Sequence, residues 1–192
     1  MAAALTVGYA GAVPLVILAG FFTFFFRDPN RHSTANPDVA VLAPADGRVL
    51  VAGPADAAAA PPGDWRQVSI FLSPMDVHVN RTPVSGRVLR VNFKRGRFLP
   101  AYHRDAASAN EHSEIWIEHN GQMIVFRQLV GMLARRVVCR VQAGAQLAAG
   151  ERVGLMKFGS RMDVFLPTSA QLRVSVGDRV VGGVTVIATL TG

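Results

Sequence analysis

Cysteine is almost absent: Cys139 is the only one in 192 residues. No internal disulfide can form, and the strand-like apolar flanks of "VVCRV" read as those of a buried structural thiol, not a nucleophile, in a reduced, intracellular chain. Charge is absent from the first 26 residues, "MAAALTVGYAGAVPLVILAGFFTFFF", which excludes an ordinary soluble start. No basic leader precedes this run and no small-residue cleavage site comes after it, which argues against a secretory signal. As one helix it reaches ~39 Å at 1.5 Å per residue, more than the ~30 Å of a bilayer core. Pro14 with Gly8, Gly11 and Gly20 equally allows a re-entrant hairpin, and a buried core helix is the plain alternative. Arg27 and Arg31 in "RDPNRH", beside the apolar edge, place the rest of the chain on the cytoplasmic face of the cell membrane.

Acidic side chains are scarce, 13 against 20 Lys and Arg, for a net charge of +7. An anionic partner is implied: nucleic acid, lipid head groups or an acidic substrate. Arg87, Arg90, Lys94, Arg95 and Arg97 cluster in "GRVLRVNFKRGRF". Such a strand suits an anionic membrane surface, or is a solvated edge strand whose charges oppose aggregation. It has no interleaved stacking platform, so nucleic acid is not the expected partner.

Helical periodicity is lacking after the polar linker "RDPNRHSTANPD", and no internal repeat is found. What is there is a series of short Val-, Ile- and Phe-rich runs separated by glycine turns, including "GRVLVAG", "WRQVSIFLS", "SEIWIEHNGQMIVFRQLVG" and "VTVIATL". The spacing predicts a mainly β fold: one β-sandwich or barrel-like domain over residues 29–192, behind a membrane-associated helical segment over 1–28. Asn120-Gly121 marks a type I′ hairpin. "AGPADAAAAPPGD" reads as an exposed loop and "YHRDAASANEHS" as a mobile one.

Three segments carry candidate chemistry. In "LMKFGSRMDVFLP", Gly159-Ser160 interrupts two strand-like runs; glycine admits a positive φ and close approach to its carbonyl, and the serine hydroxyl can attack that carbonyl given a base and oxyanion donors. Alone, the dipeptide is an ordinary turn. In "FLSPMDVHVNRTPVSG", alternation places Asp76 and His78 on one face, and His78 is either a base near neutral pH or a structural histidine. "LAPADGRVL" adds Asp46 in a turn that by itself needs only an aspartate bonding its own backbone. No metal site is expected.

In this order, with "FFRDPNR", "NEHSEIWIE" and "RQLVG", these segments resemble the phosphatidylserine decarboxylase family, in its short prokaryotic branch, over nearly the whole chain. The resemblance implies a proenzyme that cuts itself between Gly159 and Ser160. The products are a β chain, 1–159, and an α chain, 160–192, held together without a covalent bond. Ser160 becomes a pyruvoyl cofactor that forms a Schiff base with phosphatidylserine, and phosphatidylethanolamine is released. Asp46 matches the aspartate assigned to self-cleavage and His78 the first histidine of a longer-branch pair. The second place of that pair is Arg81, which cannot serve as a base at neutral pH. Either His78 serves both maturation and decarboxylation or another histidine, such as His112, reaches the site. Phe158 and Arg161 stand where the longer branch has leucine and threonine. The anionic membrane surface is a further expected partner, and a homo-oligomer is left open. The rival readings are a lipoyl- or biotinyl-type carrier modified at Lys157, a membrane adaptor without catalysis, and a sister decarboxylase acting on a small soluble amino acid, against which the apolar N-terminus argues.

Overall fold

The computed structural model describes residues 2–133, 136–157 and 159–191. The chain begins with α1 (Ala2–Phe25) and continues as β1 (Ala40–Leu42), β2 (Gly47–Pro54), β3 (Arg66–Leu72), β4 (Val79–Arg81) and β5 (Gly86–Lys94). A short α2 (Ala106–Ala109) precedes β6 (His112–His119), β7 (Gln122–Leu129), β8 (Val138–Cys139), β9 (Gln146–Leu147) and β10 (Arg152–Leu155). Last come β11 (Ser160–Leu166), β12 (Gln171–Leu172), β13 (Arg179–Val180) and β14 (Val186–Thr189). A curled eight-stranded sheet runs β13-β2-β3-β11-β7-β6-β5-β9, beside two small sheets, β1-β14-β12 and β4-β10-β8.

The predicted mainly β class is what forms, as a curled half-barrel. Its core results from period-two alternation: Ile70 and Leu72 of β3, Met162, Val164 and Leu166 of β11, Ile124 and Phe126 of β7, and Ile115 and Ile117 of β6 turn to one face and are fully buried. Each such side chain contributes about 1.5–3 kcal/mol. β11 is buried at every position because its other face is covered as well. There Arg161, Asp163 and Ser69 form a polar cluster, beside Arg127 and Glu114. The β6–β7 hairpin turns on Asn120 and Gly121 with φ +48° and +76°, as the sequence predicts.

Several expectations are corrected. The run to Phe25 is one helix that passes Pro14 without a hairpin, and among the described residues no helix is long and apolar enough to cross a membrane. Nor is it a core helix: Val13, Leu15, Val16, Ile17, Leu18, Phe21, Phe22 and Phe24 are exposed, and Phe25 is fully buried. "YHRDAASANEHS" is pinned, because the Asn110 side chain donates to the carbonyls of Leu99 and Val130 at 2.8 and 2.9 Å and accepts from the Leu99 N–H. "AGPADAAAAPPGD" partly covers the polar face of the sheet, where Arg127 donates to the Ala59 carbonyl. Beyond Val88 no strand, among the described residues, lies on the outer side of β5, so its exposed basic residues occupy an edge. Cys139 is half-buried on β8, and burial raises its thiol pKa, as befits a structural cysteine.

Candidate active site

Two connections run side by side from the large sheet to the β4-β10-β8 sheet. One leaves Leu72 of β3 and reaches Val79 of β4; the other leaves Leu155 of β10 and reaches Ser160 of β11. Ser160 pairs with Leu72 and Leu155 with Val79, so the connections are fastened at both ends. The Met156 N–H also donates to the His78 carbonyl at 3.2 Å. His78 is thereby held in the strip of chain that flanks the Gly159-Ser160 bond.

The first connection is not the extended stretch that alternation suggests. Ser73 to Asp76 closes a turn in which the Asp76 N–H donates to the Ser73 carbonyl, while the Asp76 carboxylate accepts from the Ser73 N–H and hydroxyl at 2.8 and 2.7 Å. Its other oxygen accepts from Arg179 at 2.7 Å. The carboxylate therefore serves the turn, and it is the Asp76 carbonyl that orients the imidazole, with His78 Nδ1 at 2.9 Å. A carbonyl only accepts, so Nδ1 carries the proton and Nε2 the lone pair. Nε2 is buried and, among the described residues, has no hydrogen-bond partner. The Phe25 ring packs 4.2 Å from the imidazole, centroid to centroid. Burial pushes the His78 pKa below its ordinary 6.5, outweighing the Asp76 carbonyl bond and the charges of Asp76 and Asp46, so the ring is neutral at physiological pH.

Ser160 is fully buried, and among the described residues its hydroxyl likewise has no hydrogen-bond partner. Gly159 before it has φ +72°, a conformation that costs a side-chain-bearing residue ~1–2 kcal/mol. A second glycine backs the bond: a Cβ at Gly131 would lie 1.8 Å from the Gly159 carbonyl oxygen, so the two backbones touch only because residue 131 has no side chain. Asn110, through its bond to the Val130 carbonyl, fixes the segment that carries Gly131. Neither Gly131 nor Asn110 stands out by residue type, although "RQLVG" and "NEHSEIWIE" contain them; a close approach across the fold leaves no local signal. Phe25 is hidden for the same reason.

The other candidates occupy different surroundings. Asp46 is gripped by Arg31, which engages both carboxylate oxygens, one at 2.8 Å, and it accepts from the Gly182 N–H at 2.8 Å. It makes no hydrogen bond to His78 and acts on it through charge alone. Arg81 is a clamp: it donates to the Gly150 and Pro29 carbonyls and to Asp28. His112 pairs with Leu129, which pairs with Arg161. Directly paired residues share a face, so His112 projects with Arg161 to the face opposite Ser160 and is not the second histidine of the site. Phe158 lies outside the described residues. Lys157 is half-buried with its ammonium 5.9 Å from the Phe26 ring centroid, unlike the exposed hairpin lysine that a carrier presents for modification.

The family model for phosphatidylserine decarboxylase matches residues 18–188. A curated relative from Solibacter usitatus, named phosphatidylserine decarboxylase proenzyme, is 43% identical over 97% of this chain and 89% of its own length. Relatives of the same name from Magnetococcus marinus and Geotalea daltonii are 42% and 41% identical, over 93% and 94% of this chain and 82% and 84% of theirs. With match and identity both spanning the sheets that hold Ser160 and His78, the chain belongs to the phosphatidylserine decarboxylase family of enzymes.

Proposed function

We propose that this chain is a proenzyme that cuts itself between Gly159 and Ser160 and then decarboxylates phosphatidylserine to phosphatidylethanolamine. The observation that carries the reading is a pair of buried atoms on adjoining connections, the Ser160 hydroxyl and His78 Nε2, both unpartnered among the described residues, beside a left-handed Gly159. A buried polar atom without a partner costs about 1–3 kcal/mol, which a reacting group can repay in function.

In the proposed self-cleavage, His78 Nε2 takes the hydroxyl proton as Ser160 Oγ attacks the Gly159 carbonyl carbon. The carbon–nitrogen bond breaks, the amine takes up a proton, and an ester joins residues 159 and 160. Loss of the Ser160 α-proton then expels the Gly159 carboxylate and leaves dehydroalanine, and water replaces its nitrogen as ammonia. The pyruvoyl ketone so formed offers an electrophile to the substrate amine and an electron sink for the bond that releases CO2. Ser160 and Gly159 fit this origin, since the serine is presented at a strand end with its carbonyl partner held against Gly131. Asp46 acts as a fixed charge near His78, and His78 serves both stages. The fragment 160–192 keeps its place because β11 lies between β3 and β7 while β12 and β14 belong to another sheet.

The reading extends to the cytoplasmic face of the cell membrane. Exposed apolar side chains line α1 from Val13 to Phe24, and Met75, Met132 and Leu133 are also exposed on the two segments that hold His78 and Gly131. Together they offer an apolar surface around the site to a bilayer that contains the substrate. The experiment is intact mass spectrometry of the wild type beside Ser160→Ala. Two polypeptides are expected in the wild type, the smaller with a blocked pyruvoyl terminus, and one uncut chain in the variant. A wild type that stays whole yet decarboxylates phosphatidylserine overturns the mechanism.

A further inference from the structure

A cavity of about 220 Å³ opens between the end of α1 and the β4–β10 pair, lined by Phe26, Asp28, Val79, Arg140, Arg152 and Leu155 among others. Three of its walls are immediate sequence neighbours of the groups that hold the candidate base. Val79 comes directly after His78, Phe26 directly after the Phe25 that stacks on the imidazole, and Leu155 directly before the Met156 that bonds the His78 carbonyl. The cavity is smaller than the ~300–1,000 Å³ usual for a drug-sized ligand, a size for a head-group fragment and not a whole lipid.

Its charge is unbalanced. Asp28 is shared between Arg152 at 2.7 Å and Arg81 at 3.3 Å, so its one negative charge is already met twice. Arg140 is exposed and, among the described residues, its guanidinium has no ion-pair or hydrogen-bond partner. Three guanidinium groups thus face one carboxylate in and beside this cavity. Burial is the main cause of the depressed Arg81 pKa, and Arg152 beside it lowers it further. Phe26, 41% exposed, adds an apolar wall continuous with the bare aromatic face of α1.

We propose that this cavity is an anion subsite that takes the phosphodiester of the lipid head group, with Arg140 as its principal free charge. The proposal rests on the functional reading above. In a phosphoserine head group only one carbon and one oxygen separate the amine-bearing carbon from phosphorus, so the phosphate must be held close to the reacting centre. Val79 is one residue from His78, and Phe26 and Leu155 are one residue from the Phe25 and Met156 that touch it, so the cavity adjoins the segments that hold the candidate base. Arginine is suited to the task because its planar donors match two phosphate oxygens at once. The glycerol and the first carbons of the acyl chains then pass along Phe26 toward α1.

The test uses the full chain and a short-chain phosphatidylserine below its micelle-forming concentration, so that surface attraction to a bilayer plays no part. Arg140→Ala is expected to raise KM about tenfold or more with a far smaller change in kcat, and Arg140→Lys to recover part of the loss. Arg90→Ala, which removes an exposed charge outside the cavity, is expected to leave KM unaltered. Glycerophosphoserine is expected to compete with substrate in the wild type and much less in Arg140→Ala; inorganic phosphate at the same concentration is expected to compete weakly. Equal competition by inorganic phosphate overturns the head-group assignment in favour of a general phosphate site. A wild-type KM in Arg140→Ala, or an equal rise in Arg90→Ala, overturns the subsite itself. A wild type that never cuts itself fails the functional reading instead, and mass spectrometry reports that before any kinetic comparison is made.

Discussion

Gly131 stands directly behind the carbonyl of Gly159, so close that a Cβ on the first would lie 1.8 Å from the oxygen of the second. The bond proposed to break is therefore shaped by a residue 28 positions earlier in the chain. Gly131→Ala must push the carbonyl away, and self-cleavage is expected to slow at least ~10-fold, the equivalent of ~1.4 kcal/mol in barrier. Gly159→Ala has open space around its Cβ and meets only the strain of φ +72°, so its effect is expected to be smaller. Time-resolved intact mass measurement on refolded precursor separates the two. Gly131→Ala maturing at the wild-type rate removes that residue from the site.

Phe25 covers the His78 imidazole and is itself fully buried. Phe25→Ala admits water to the ring, and since burial is the main cause of the depressed His78 pKa, that pKa must rise toward 6.5. A base must be unprotonated to act, so the acid limb of the pH profile of self-cleavage is expected to move to higher pH. Phe22→Ala, at an exposed position of the same helix, is expected to leave the limb in place. Equal profiles for wild type and Phe25→Ala contradict the assignment of His78 as the base.

Features that depend on local order are legible in the sequence. The strands, the Asn120-Gly121 hairpin and the Gly159-Ser160 interruption come from alternation and glycine placement, and the structure keeps them. Alternation misplaces Asp76, because Pro74 and the Asp76 carboxylate close a turn where an extended chain is assumed. Composition misjudges "YHRDAASANEHS", because its order comes from Asn110 bonding Leu99 and Val130, backbone groups remote in sequence. His112 stands as an alternative base on sequence alone, since the sheet face a histidine occupies is not defined until register is known. Phe25, Gly131 and the Arg31–Asp46 pair depend on contacts between distant segments, and residue type alone does not point to them.

The Arg31–Asp46 pair tests how much of the Asp46 effect is structural. Both side chains are largely buried, at 13% and 14% exposure, so removing one partner leaves the other short of its bonds. Arg31→Ala strands a carboxylate and is expected to destabilise the uncut Ser160→Ala chain by about 1–3 kcal/mol. Asp46→Asn keeps an oxygen for the Gly182 N–H and is expected to cost less. Urea denaturation ranks the two, and a reversed order contradicts the account of Asp46 as an anchored charge.

The depressed histidines also set a direction for stability against pH. Burial lowers the folded-state pKa of both His78 and His112 below 6.5, the value each regains on unfolding. Below about 6.5 the unfolded chain therefore binds protons that the folded chain refuses, and stability falls as pH falls; above it these two groups contribute no slope. The decline is at most ~1.4 kcal/mol per pH unit for each histidine. It continues until the folded values are reached. The groups around them do not reverse the sign: Asp76, Arg27 and Asp46 act on His78, and Arg127, Glu114 and Lys94 on His112, with burial the largest cause in both. The Glu114 pKa is itself lowered, so its contribution is lost only at more acidic pH, below 4.5. Urea midpoints of the Ser160→Ala chain are thus expected to drop between pH 7.5 and 5.5, and replacing His112 with phenylalanine should remove roughly half of that drop. A midpoint that does not change over this interval means that neither imidazole is held neutral by the fold, and His78 then loses its standing as a neutral base.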